Sequence, residues 1–162
     1  MSWVLARFVE NSQKCYIPEF LTIDEQLFPT KAQCRFTHYM PNKPDKFGIK
    51  FWILADLKNK YCPNIKPYLG KDESRVENLG THEVMSLVEP YFGRGYNVTK
   101  NNVFTSVDLA TKLLQKKTSI VGTVKHSRKE IPAFIPLPLY DSNFYINGPL
   151  NLVVYQAYYN TS

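Results

Sequence analysis

At 162 residues and a net charge of +6, the chain is long enough for one domain with a true core, because a chain of this size buries about 70% of its unfolded surface. Hydrophobic residues at 44% and charged residues at 21% argue against a disordered, collagen-like or coiled-coil protein. No stretch approaches the roughly 20 apolar residues of a membrane helix, and the positive balance suits a phosphate-bearing partner without requiring one.

Within the first ten residues Arg7 and Glu10 interrupt the apolar run, which predicts an amphipathic helix over 3–14 rather than a secretory leader. Tyr16-Ile-Pro18 ends it. Phe20-Leu-Thr-Ile-Asp24 predicts a short strand with Asp24 at its C-terminal edge. The aromatic and branched runs at 34–40 and 47–56 flank the turn Pro41-Asn-Lys-Pro44-Asp45-Lys, so they read as an antiparallel pair, with His38, Tyr39 and Trp52 as packing residues. A further extended piece near 60–69 ends at Gly70.

After a polar loop at 70–80 the period becomes helical: Thr81 is a cap candidate, and Val84, Leu87, Val88 and Tyr91 share one face until Gly93. Tyr96-Asn-Val-Thr99 predicts a strand. Ser106 then caps a helix whose apolar stripe is Val107, Ala110, Leu113 and Leu114 and whose end is marked by Lys116-Lys117. Ser119 to Val124 reads as a compact buried strand. Four prolines make 131–149 a loop or insertion, followed by a last strand at 151–155. The order β-β-β-α-β-α-β describes an α/β layered fold with a mixed sheet, antiparallel strands first. RNase H-like folds are the best-known example, and a crossover in that order would bring Asp24 and the position near 101 together at one end of the sheet. Cys15, Cys34 and Cys62 are odd in number and lack a C-x-x-C pair, so a reducing compartment is expected, with neither a disulfide framework nor a zinc site.

Several stretches carry a resemblance: Leu21-Thr-Ile-Asp-Glu-Gln-Leu-Phe28, Tyr39-Met-Pro-Asn-Lys-Pro44 with Phe47-Gly-Ile-Lys50, and Pro67-Tyr-Leu-Gly-Lys71. Others are Val88-Glu-Pro-Tyr91, Tyr96-Asn-Val-Thr99, Phe104-Thr-Ser106, Ile120-Val-Gly-Thr123 and Arg128-Lys-Glu-Ile-Pro132. In order and spacing they resemble the central catalytic domain of piggyBac-type transposases and their transposable element-derived relatives, over residues 5 to 155. The resemblance implies an RNase H-like core, truncated at its C-terminal end, with a lead-in over 1–18, the core over 19–130 and the start of a β-rich insertion over 131–162. It implies DNA transposition by a DDE/DDD site, in which aspartates hold magnesium to cleave and join strands. Asp24 falls at the first aspartate and Asn101 at the slot of the second, while the third lies downstream of this sequence.

Asn101 offers a neutral oxygen where magnesium prefers an anionic one. At about 2.1 Å and an effective permittivity near 20 the lost attraction is on the order of 8 kcal/mol before compensation. If water recovers three quarters of it, about 2 kcal/mol remains, roughly thirtyfold in affinity or rate. No other acid substitutes: Glu25 points to the opposite face from Asp24, Asp108 lies inside the following helix, and Asp56 reads as a solvated turn residue. Without the family, Asp24 is a strand end and the Asn101-Asn102 pair a turn.

The expectation is therefore a chain related to DNA transposases but catalytically silent, with Asp24 a vestigial metal ligand and no functional cofactor. The alternative is a domesticated module that holds DNA or pairs with an intact transposase or a second copy of itself. Lys31, Arg35, Lys43, Lys46 and Lys50 around the first hairpin, with Lys125, Arg128 and Lys129, are candidates for non-specific phosphate contact, although such charges equally make a solvated face. Neither a membrane nor a small-molecule substrate is expected. Nuclear localisation follows from the family alone, since Lys125 to Lys129 is an interrupted basic stretch.

Overall fold

A computed structural model of the chain describes residues 3–32, 34–41, 43–70, 79–101, 105–125, 128–131 and 137–156. Most of the expected polar loop at 70–80, together with Asn102, Phe104, Pro132 and Pro136, lies outside them. The chain divides into two compact units, Met1–Lys125 and His126–Ser162.

The first unit is a mixed α/β structure. Helix α1 (Trp3–Cys15) is followed by strands β1 (Leu21–Pro29), β2 (Thr37–Tyr39), β3 (Phe47–Asp56) and β4 (Asn64–Pro67). Helix α2 (Leu79–Val88), a single 3-10 turn at Glu89–Tyr91, β5 (Asn97–Lys100), α3 (Val107–Gln115) and β6 (Ser119–Gly122) complete it. Four strands precede α2, one for each extended stretch expected before residue 70, so the expected order β-β-β-α-β-α-β is one strand short. The sheet order is β2-β3-β1-β5-β6, with β4 also paired to β3. β3 runs antiparallel to β1, β2 and β4, whereas β1–β5 and β5–β6 are parallel.

Alternation along the strands decides which face is covered. Leu21 and Ile23 of β1, Trp52 and Leu54 of β3 and Val98 of β5 form one core with Val84, Leu87, Val88, Tyr91, Leu109 and Leu113 from the helical side. The intervening residues Thr22, Asp24 and Gln26 line the opposite face with Ile53 and Ala55.

Several expectations are corrected. Asp24 is not at the edge of β1: the strand runs on to Pro29, because its antiparallel ladder with β3 continues from Leu21↔Asp56 to Pro29↔Gly48. Thr81 lies inside α2 and is buried, so it is not the cap. The buried residues of α3 are Leu109 and Leu113, while Val107 and Leu114 are exposed. The Ser106 cap is present, its hydroxyl accepting from Leu109 N at 3.1 Å. β6 is an edge strand with Val121 60% exposed, not a buried one, since nothing pairs on its outer side among the described strands.

Asp56 is fully buried rather than solvated. Its carboxylate accepts from Tyr16 Oη at 2.5 Å and from the backbone N–H groups of Phe20 and Lys58. Burial opposes its ionisation, but these three donors outweigh it and hold the carboxyl below its ordinary value.

In the second unit, β7 (Ser142–Asn147) and β8 (Leu150–Tyr155) form an antiparallel hairpin. β7 falls within the stretch expected to be a loop or insertion. Gly148, at φ +57, takes the first position of the two-residue turn and Pro149 the second, as a type II′ turn favours.

Candidate functional site

The parallel ladder between β1 and β5 is only three pairs long: Leu21↔Val98, Thr22↔Thr99 and Ile23↔Lys100. The next residue on each strand is Asp24 and Asn101, so the two side chains meet where the strands part. Asn101 Nδ2 donates to Asp24 Oδ1 at 3.2 Å, and the same oxygen accepts from Glu25 N at 2.8 Å. Thr105 tethers this corner by donating its hydroxyl to Asn101 O at 3.1 Å, and Ser106 then starts α3. Gly122 lets β6 approach closely: a Cβ there would meet Lys100 O at 2.6 Å and Thr105 Oγ1 at 2.7 Å.

The donor set does not fit a catalytic divalent ion. A hard cation needs converging anionic oxygens, whereas here one of the two groups is a neutral amide whose N–H occupies the carboxylate oxygen. Among the described residues no three His, Cys, Asp or Glu side chains come together. With two carboxylates in these positions, repulsion would call for a cation between them. With Asn101 the pair satisfies itself.

Behind this corner, on the core side of the sheet, lies a layer of charge. Glu25 pairs with Lys50 Nζ at 2.7 Å. Lys50 Nζ stands 4.1 Å from the Trp52 ring centroid, and Lys100 Nζ approaches the same ring at 5.5 Å, arrangements in which the ring face attracts the cations. Lys100 is only 5% exposed. Burial pushes its ammonium down to about 8, opposed by the charges of Asp24 and Glu25 and aided by Lys50.

The remaining basic candidates are scattered. Lys31 and Arg35 line an open groove of about 790 Å³ with Cys34, Thr37, Tyr39 and Phe47. Lys46 is exposed in the β2–β3 turn, while Lys43 reaches back to Glu25 O at 3.5 Å and Lys50 is committed to Glu25. Lys125 is in the first unit, and Arg128 and Lys129 are in the second, where Arg128 lies 3.9 Å from Glu130. The Cys34 thiol is held below its usual range by its hydrogen bond with Thr37, 3.3 Å away, and by the backbone at Phe36.

A profile of the family described as Transposase IS4 matches residues 2–148, and a cryo-EM structure of a piggyBac transposase synaptic complex with hairpin DNA superposes with a TM-score of 0.85 at 41% identity. The chain belongs to the piggyBac-type transposase family. The superposition covers 91% of this chain and 33% of the solved one. The human piggyBac transposable element-derived protein 3 is 28% identical over 131 residues, 75% of this chain and 22% of that protein. The human chimeric ERCC6-PGBD3 protein matches at the same identity, over 12% of its length. The chain thus spans about a fifth or less of these curated relatives.

Against the piggyBac-type motifs, reading the sequence missed two residues. Lys100 escaped notice because the expected strand stopped at Thr99; β5 runs on to Lys100, and alternation from Val98 places it on the buried face. Thr105 was read as part of a motif without a role, and its bond to Asn101 depends on how the segment folds back.

Proposed function

We propose that this chain is a piggyBac transposable element-derived protein with an RNase H-like core that holds DNA without cutting or joining it. The observation that carries this reading is the hydrogen bond from Asn101 to Asp24, which occupies the vestigial ligand oxygen with a neutral donor. Active transposases of this class use magnesium to polarise phosphate; the residues at this corner do not fit it. The proposed organisation is a lead-in over 1–18, a core over 19–130 and a β-rich segment over 131–162, acting in the nucleus. DNA would be contacted non-specifically: Lys31, Arg35, Lys46, Lys125 and Lys129 are the exposed members of the basic set, and Lys31 and Arg35 line one groove.

The test is DNA binding by the purified chain in magnesium and in EDTA. The reading expects equal affinity in both, unchanged in Asp24→Ala, with log K falling linearly with log salt concentration. Binding that requires magnesium and disappears in Asp24→Ala would sink it.

A second reading, a domesticated module that pairs with an intact transposase or with itself, draws on the β7–β8 hairpin. There Phe144, Ile146, Val153 and Tyr155 are all exposed, and the register puts them on one face. Such a surface suits a protein partner. A concentration-independent monomer that does not co-sediment with an intact transposase would remove it.

A further inference from the structure

Tyr39 and Phe47 are directly paired across the β2–β3 ladder, with ring centroids 4.9 Å apart at 43°. They are 55% and 59% exposed, so the pair presents aromatic surface to solvent rather than to the core. Both rings line the open groove of about 790 Å³ that Lys31 and Arg35 also line, and none of the described residues lining it is acidic. The loop carrying the two cations is pinned to β2 by Thr37 Oγ1, which donates to Ala32 O at 3.2 Å.

We propose that this groove takes unpaired nucleotides of a DNA strand, a base stacking on the Tyr39–Phe47 pair and its flanking phosphates meeting Lys31 and Arg35. The inference rests on the DNA-holding reading above and narrows it. In a duplex the base faces are stacked against one another, so an aromatic platform gains nothing from paired DNA beyond what the cations supply. An unpaired base offers a free face, and stacking on aromatic side chains is tolerant of sequence. Arg35 also stands 4.7 Å over the Phe36 ring centroid, and this combination of exposed rings and cations in one groove is matched by single strands better than by duplex or by an apolar protein surface. Among the described strands β2 pairs only with β3, so the groove-lining Tyr39 sits on an edge strand.

The experiment is fluorescence anisotropy of the full chain with a labelled oligo-dT of about 20 nucleotides, long enough to fill such a site, against a blunt duplex of equal length. The single strand should bind more tightly. Tyr39→Ala and Phe47→Ala should each weaken single-strand binding about tenfold while leaving duplex binding within about twofold. Lys31→Ala and Arg35→Ala should weaken both ligands and flatten the salt dependence. Tyr39→Leu, which keeps apolar bulk, guards against a folding defect and should behave as Tyr39→Ala. Duplex bound as tightly as single strand, or aromatic variants that weaken both equally, overturns the inference and leaves the DNA-holding reading standing. Failure of both ligands to bind overturns both. An acidic peptide that displaces the oligonucleotide at equal concentration would instead assign the groove to a protein partner and overturn the proposal.

Discussion

The side-chain amide of Asn101 donates to Asp24 Oδ1 across the gap where β1 and β5 part. A hydrogen bond thus joins two positions that, as paired carboxylates, would repel each other, and a single carboxylate charge remains at the corner.

Asn101→Asp should reverse that condition. Two carboxylates about 4 Å apart repel by between about 1 and 4 kcal/mol at the permittivities of water and of a protein surface, so the metal-free variant should melt at a lower temperature than the native chain. Magnesium should restore it, with an affinity about thirtyfold above that of the native chain. Thermal melts with and without millimolar magnesium make the comparison, and an identical melting temperature for variant and native chain in EDTA would argue against direct contact.

Lys100 gives a pH signature. Its ammonium is pushed down to about 8 from an ordinary 10.5 by burial, so the folded state binds fewer protons than the unfolded state between those values. Stability should therefore rise as pH increases from about 8 towards 10.5, by at most on the order of 3 kcal/mol. Lys100→Met should lose this rise while Lys50→Met, whose partner is the Glu25 carboxylate, should retain it. Urea denaturation across that pH range reads the effect.

Asp56→Ala should destabilise the chain by about 1–3 kcal/mol, because it strands the Tyr16 hydroxyl and the N–H groups of Phe20 and Lys58. The Asp56 carboxyl is held below its ordinary value in the folded state. Its contribution is accordingly present above the unfolded value and lost as pH falls through the folded one. The acid limb of the stability profile should be shallower in Asp56→Ala.

Gly122→Ala tests the close approach of β6. Its new methyl would meet a backbone carbonyl at 2.6 Å, which no rotamer change relieves, so a loss of about 1–3 kcal/mol is expected. Gly70→Ala serves as a control for position: nothing lies within 4 Å of a Cβ there, and the strain at φ +100 is purely local.

How much could be read in advance follows from the range of each interaction. The β2–β3 hairpin and the Ser106 cap were legible because their signals sit within a few residues: branched runs around prolines, and a hydroxyl three positions before the amide it caps. The meeting of Asp24 with position 101 followed from strand order. β7 was hidden because the prolines of 131–149 outweighed the Phe144-Tyr145-Ile146 run, although Gly148-Pro149 between two apolar stretches is itself a hairpin signal. Asp56 was misjudged because the Tyr16 hydroxyl that secures it is 40 positions away in sequence. In α3 the expected stripe of Val107, Ala110, Leu113 and Leu114 included the buried Leu113 but missed Leu109, because overlapping sets of residues share helical spacing and periodicity alone did not choose the buried side. Packing against the sheet chose Leu109 and Leu113.

The most direct measurement is cleavage of end-labelled linear duplex DNA by the purified chain in magnesium, run beside Asp24→Ala. The account predicts that native and variant proteins both leave the DNA as intact as a protein-free control. Magnesium-dependent product from the native chain that vanishes in Asp24→Ala would contradict it.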